Sequence, residues 1–218
     1  VTKLGTGASS LDALLNGGIE EASITLLYGE AGSGKTNLCL VLSRNSVLMG
    51  KRVLYIDTEG VSAERLKQIA GNQIERVLKG ILFSEPYSME EQTELISKGI
   101  ALLQSQPFGL FVIDSLTVFC RAVGEDMSER RELSGQINML LSAARKYRMP
   151  VLVTSQVYTD FEKNSFEPLG GHVLQHAAKT IIRLEKKRDG GRRAVLIKHR
   201  YLKEMMSADF NITAEGIE

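Results

Sequence analysis

Gly29 and Gly34 bracket four residues and are followed at once by Lys35 and Thr36, giving Gly29-Glu30-Ala31-Gly32-Ser33-Gly34-Lys35-Thr36. Each residue type has a task in holding a polyphosphate. The glycines let the backbone curl until successive N–H groups point at one anion. A helix starting at the end of the run adds its positive N-terminus. Lys35 sets a cation against the β- and γ-phosphates, and the Thr36 hydroxyl can ligate Mg²⁺. The run predicts a nucleoside triphosphate site, read as ATP with Mg²⁺.

Such a site needs further groups. Mg²⁺ draws on a carboxylate at the end of an adjacent strand, and Asp114 closes the apolar run Leu110-Phe111-Val112-Ile113. Hydrolysis needs a residue that positions or deprotonates water near the γ-phosphate. Glu59, just after Ile56-Asp57-Thr58, is the candidate. Gln156 follows another apolar run, where its amide can bond the γ-phosphate and report it to the segment beyond.

The elements that must position these residues alternate along the chain. Short apolar runs at 23–28, 52–57, 80–84, 110–114 and 150–155 read as strands. Between them, helices are expected at 36–49, at 62–70 with Ser62 as cap, from Ser88 to about 105, and at 127–147. Ser88 and Glu91 have the spacing of a capping box. Wholly apolar strands separated by helices indicate a parallel sheet covered on both faces. The expected fold is α/β and doubly wound, in one domain over 1–218. Three further strands, at 179–185, 193–198 and 208–213, have little helix between them. With Gly190-Gly191 as a turn, they predict an antiparallel extension on the sheet edge. The segment 157–169 reads as a long loop, and long loops in compact domains are usually functional.

Composition narrows the class without naming a partner. The 218 residues, 43% hydrophobic and 24% charged, suit a soluble globular domain, and the net charge of +1 predicts no partner by itself. No apolar run approaches the roughly 18 residues of a membrane span. Nothing at the start reads as a signal peptide, so a cytoplasmic location is expected. Cys39 and Cys120 are expected as small buried hydrophobes rather than a disulfide.

Taken together, these motifs resemble the RecA/RadA recombinase family, most closely its archaeal RadB branch. The resemblance runs from Thr6-Gly7-Ala8-Ser9-Ser10-Leu11-Asp12 through Tyr55–Gly60, Val151–Val157 and Gly170-Gly171-His172 to Ile212–Ile217. It implies a RecA-like ATPase core with Glu59 as catalytic glutamate, Arg65 packing on the adenine, Gln156 as sensor and His172 near the γ-phosphate. The stretch holding Arg121, Arg130 and Arg131 is similar to the family's first DNA-binding loop. The stretch 157–169, with Lys163, is similar to the second. Recombinases proper in the family also carry an N-terminal helical DNA-binding domain and an aromatic polymerisation motif, and this sequence has neither. Where relatives have an acidic residue and prolines reaching over a neighbour's ATP, this sequence has Ile197-Lys198-His199-Arg200-Tyr201-Leu202-Lys203. Lys198 or Arg200 is expected to supply charge to a nucleotide there, as a trans contact.

Between 183 and 203, nine Lys/Arg stand against Glu185, Asp189 and, just beyond, Glu204, a local excess of +6. With the resemblance, this predicts a DNA surface at Lys187, Arg192 and Arg193, following phosphates without reading bases. Single-stranded DNA is the preferred ligand, with a recombinase or other recombination protein as partner and a homo-oligomer possible in principle. Two function classes remain: a nucleotide-gated regulator of recombination with weak hydrolysis, or a DNA-stimulated, filament-forming recombinase ATPase. A helicase-type or clock-type ring ATPase of the same fold fits Gly170-Gly171-His172 less well.

Overall fold

Branched and aromatic residues dominate the apolar runs, and they pair into one sheet. The computed structural model describes residues 2–120, 127–160 and 165–218. In chain order the elements begin with β1 (Lys3–Leu4), α1 (Ser9–Leu14), β2 (Ile19–Glu20), β3 (Ile24–Gly29), α2 (Lys35–Leu48), β4 (Arg52–Asp57), α3 (Ala63–Ala70), α4 (Ile74–Gly80), β5 (Ile81–Ser84) and α5 (Met89–Leu102). They continue with β6 (Phe108–Asp114), α6 (Met127–Tyr147), β7 (Val151–Ser155), β8 (Val157–Asp160), β9 (Ser165–Pro168), α7 (Gly171–Ala177), β10 (Thr180–Lys186), β11 (Arg192–Lys198), β12 (Ser207–Phe210), β13 (Ile212–Thr213) and β14 (Gly216–Ile217).

The main sheet has the order β12-β11-β10-β3-β7-β6-β4-β5. From β10 to β5 every pairing is parallel. Beyond β10, β11 and then the edge strand β12 add antiparallel, as the hairpin signal predicted. Successive side chains of a strand face opposite sides. Leu110 and Val112 therefore join one apolar layer with α1–α4, while Phe111 and Ile113 join the other with α5–α7. Burial on both faces explains why these runs lack polar alternation. Among the described residues, no helix is long and apolar enough to cross a membrane.

Helix ends follow their local chemistry. Ser62 Oγ accepts the Arg65 N–H at 3.2 Å and starts α3. Ser88 Oγ accepts the Glu91 N–H at 3.1 Å, but the Glu91 carboxylate takes the Tyr87 N–H rather than that of the cap.

Two local expectations are corrected. The segment 157–169 is not featureless, because β8 and β9 pair antiparallel from Val157↔Pro168 to Asp160↔Ser165. The single strand expected at 208–213 is two. β12 belongs to the main sheet, whereas β13 turns away to pair with β14. The short helices α4 and α7 were not anticipated, since seven residues give too little periodicity to read.

Candidate functional site

The register carries Gly29, Asp57, Asp114 and Ser155 to one edge of the sheet, the carboxyl ends of β3, β4, β6 and β7. In open α/β sheets this edge is where ligands bind. β3 ends at Gly29, and the chain turns sharply, with the Ser33 N–H on the Glu30 carbonyl at 3.1 Å. A Cβ on Gly29 would lie 2.2 Å from the Leu184 carbonyl oxygen, so β10 leaves no room for a side chain there. Gly34, at φ +107°, turns the chain into α2. The loop thus delivers the N-terminus of a 14-residue helix to the edge. Ser33 Oγ is buried without a hydrogen-bond partner among the described residues, and the curled backbone suits a phosphate group.

Lys35 is buried at the start of α2 and donates to the carbonyls of Gly29 at 2.8 Å and Glu30 at 3.2 Å. Burial lowers its pKa, the negative charges of Glu59 and Asp114 oppose that shift, and Lys186 adds to it. Thr36 is half-buried in the first turn beside it.

Asp114 is fully buried, and both carboxylate oxygens have hydroxyl donors. Thr154 Oγ1 lies 2.6 Å from Oδ1, and the Tyr55 hydroxyl 2.9 Å from Oδ2. Burial and the neighbouring Asp114 push the Tyr55 phenol well up, so it remains a donor. The carboxylate is thereby oriented while its remaining lone pairs stay available. Among the described residues, no three His, Cys, Asp or Glu cluster to hold a metal by themselves. Thr36 and Asp114 therefore fit an ion that brings phosphate and water ligands with it, as Mg²⁺ does.

Glu59 and Gln156 meet across the crevice, with Gln156 Nε2 3.2 Å from Glu59 Oε1. Sequence reasoning missed what holds Glu59 in place. The buried Asp57 carboxylate accepts the N–H groups of Glu59 at 3.1 Å, Gly60 at 2.9 Å and Val61. Thr58 adds a lock, accepting the Ser115 N–H at 2.7 Å and donating to the Ser115 carbonyl at 3.0 Å. The available signal was Asp57 at a strand end before Thr-Glu-Gly, a side chain suited to bonding nearby turn N–H groups.

Arg65 lies beside the phosphate-loop helix, with Nε 2.5 Å from Asn37 Oδ1. Its guanidinium also reaches Gln68 Oε1 and the carbonyls of Ala214 and Gly216. It therefore joins α2 and α3 to the C-terminal hairpin. His172 is exposed in the first turn of α7 and has no partner among the described residues.

Most of the basic hairpin is engaged inside the protein. Asp209 accepts from Lys187 Nζ at 2.8 Å and from Arg193 Nε at 2.8 Å, and these two cations hold its carboxyl far below the usual range. Arg192 donates to the carbonyls of Gly32, Gly190 and Gly191. Arg183 pairs with Glu185 at 2.7 Å. Arg130 and Arg131 are exposed near the start of α6. Arg121 and Lys163 lie outside the described residues. Lys198 and Arg200 sit at the opposite edge from the phosphate loop, because Lys198 pairs with Ile181 near the start of β10 whereas Gly29 pairs with Leu184 near its end. They cannot reach the Gly29–Thr36 loop of their own chain. Lys198 is spent on the end of α7, donating to Gln175 O at 2.8 Å and Ala178 O at 2.9 Å. Cys39 is fully buried and Cys120 partly so, both as free thiols.

The sequence matches the Rad51 family over residues 1–218. The DNA repair and recombination protein RadB of Methanococcoides burtonii is 44% identical over 211 residues, covering 95% of this chain and 93% of its own. RadB of Methanoculleus marisnigri is 43% identical, covering 99% of this chain and 97% of its own. A crystal structure of the RadB recombinase superposes with a TM-score of 0.86 at 39% identity, over 99% of this chain and 98% of that one. A RecA-like sheet with its loop and carboxylates on one edge, matched over its whole length at this identity, places the chain in the Rad51 family, within its RadB group.

Proposed function

We propose that the protein binds ATP with Mg²⁺ at the phosphate loop, binds DNA, and serves homologous recombination and repair as a RadB-type accessory to the main recombinase, hydrolysing ATP slowly. The observation that carries this reading is the convergence of Lys35, Asp114 and the Glu59–Gln156 pair on one sheet edge. Mg²⁺, when bound, neutralises phosphate charge and polarises the bond to be broken. Thr36 and Asp114 would hold it. Lys35 would exchange its two carbonyl partners for phosphate oxygens, a stronger charge-assisted interaction. Glu59 would accept a proton from the attacking water. Gln156 belongs to the same path as the β8–β9 hairpin, since its carbonyl accepts the Leu169 N–H at 2.9 Å where the hairpin closes. That hairpin and the exposed Arg130 and Arg131 are the proposed DNA side, with single-stranded DNA preferred.

Two observations support slow rather than fast turnover. Glu59 is exposed to solvent, so its charge is diluted by water rather than focused. Lys198, which was expected to complete a neighbour's site, is committed to its own α7. The recombinase alternative draws on the intact Glu59–Gln156 pair. Turnover measured with and without single-stranded DNA, in wild type and Glu59→Gln, separates them. The accessory reading expects slow, unstimulated turnover with ATP-dependent DNA binding. Strong DNA stimulation, lost in Glu59→Gln, would install the recombinase reading instead.

A further inference from the structure

The basic hairpin contains one cation near the site that differs from its neighbours. Lys187 pairs with Asp189 and Asp209, Arg193 pairs with Asp209, and Arg192 is bonded to carbonyls. Lys186, the last residue of β10, is exposed and has no carboxylate partner among the described residues. Its side chain lies on the phosphate loop. A Cβ built on Gly32 would be 3.2 Å from Lys186 Cε and 3.3 Å from Lys186 Nζ.

Three features hold it there. β10 pairs directly with β3 up to Leu184↔Gly29, so the strand end is fixed against the start of the loop. The missing Cβ at Gly29 allows that approach. Arg192, on the returning strand, donates to the Gly32 carbonyl at 3.1 Å and pins the hairpin to the same loop residue. An unpaired ammonium held beside a backbone anion cradle costs repulsion with Lys35, and an added polyanion would relieve that repulsion.

We propose that Lys186 is a second phosphate-binding cation of the nucleotide site, supplied by the same chain through the β10–β11 hairpin, with Arg192 as its positioning residue. The inference rests on the ATP reading above. It also reassigns part of the basic hairpin from DNA to the nucleotide.

Calorimetric titration with a non-hydrolysable ATP analogue tests it, using wild type, Lys186→Ala, Lys186→Gln and Lys186→Arg, with Lys35→Ala as the control for the loop. The expected result is an affinity loss of about tenfold in the Ala and Gln variants, the size of one charge-assisted contact. Arg should restore most of it. The difference should shrink near 1 M salt, where the Debye length is about 3 Å. The melting temperature without nucleotide should not fall in the Ala and Gln variants, because Lys186 is exposed and its removal only relieves repulsion with Lys35. Wild-type affinity in both Lys186→Ala and Lys186→Gln, with Lys35→Ala impaired, overturns the proposal and leaves the ATP reading standing. Weakened single-stranded DNA binding with unchanged nucleotide affinity overturns it in favour of a DNA contact. A folded wild type that binds no ATP analogue removes the ATP reading itself, and this proposal with it.

Discussion

At the scale of residues, Asp57 shows how much of a site lies outside the groups that react. Its carboxylate gathers three successive N–H groups, at Glu59, Gly60 and Val61, and so fixes the turn that presents Glu59. Asp57→Ala leaves those N–H groups to water, at a cost of about 1–2 kcal/mol in stability. Nucleotide affinity should be retained, because the phosphate loop belongs to β3 and α2. Turnover should fall, since Glu59 loses its fixed position. Denaturant unfolding and steady-state ATPase assays check the two halves. Turnover at the wild-type rate would mean that Gln156 and the Thr58–Ser115 bonds suffice to hold Glu59. Gly29–Thr36 was legible in the sequence because spacing and residue types together carry its mechanism. Asp57 was not, because a carboxylate that organises a turn has the same letter as one that faces solvent. The pairing within the basic run was not legible for the same reason. Composition counts Lys187 and Arg193, but only the fold brings Asp209 between them.

At the scale of elements, the strands and long helices were legible because burial on both faces demands continuous apolar runs. The seven-residue α7 was not, and it survives on tertiary support. Lys198 is part of that support. Its ammonium donates to the Gln175 and Ala178 carbonyls, with His176 O at 3.4 Å, and so satisfies the end of the helix. Burial lowers the pKa of Lys198, and Lys179 adds to that shift. Lys198→Met keeps the aliphatic stem and removes the donors. The expected loss is about 1–2 kcal/mol, or about 2–4 °C in Tm per kcal/mol at this size. Calorimetric melting of the isolated protein checks it. An unchanged Tm, together with a loss of assembly, would return Lys198 to the trans role that the sequence suggested. The β8–β9 hairpin was missed for another reason. Its residues alternate without a continuous apolar face, so pairing rather than hydrophobic pattern defines it.

At the scale of the whole molecule, the alternation of strands and helices gave the doubly wound class, but not which edge each end of a strand would reach. That required register, and register separates two poles. The Gly29–Thr36 loop lies at one. At the other, the buried Glu20 of β2 meets the 199–201 turn beyond β11, with Tyr201 Oη 2.8 Å from Glu20 Oε1. His199 is buried there, and its Nδ1 accepts the N–H groups of Tyr201 at 3.4 Å and Leu202 at 3.3 Å. The proton of the neutral ring therefore sits on Nε2, which faces Glu20 Oε1 at 4.0 Å. Protonating Nδ1 would cost both acceptor contacts. Burial lowers the His199 pKa below its ordinary value. Glu20 opposes that shift, and Lys3 and Arg200 add to it. A histidine with a lowered folded pKa binds fewer protons when folded than when unfolded. Its contribution to stability is therefore present above about pH 6.5 and is lost as the pH falls through the folded value. Tm should decline as the pH falls below about 6.5, and His199→Gln, which keeps an acceptor but does not titrate, should flatten that decline. Nucleotide affinity should be insensitive to the substitution, since the turn and the phosphate loop lie at opposite edges of the sheet. If wild type and His199→Gln show the same slope of Tm against pH, the titrating group is elsewhere.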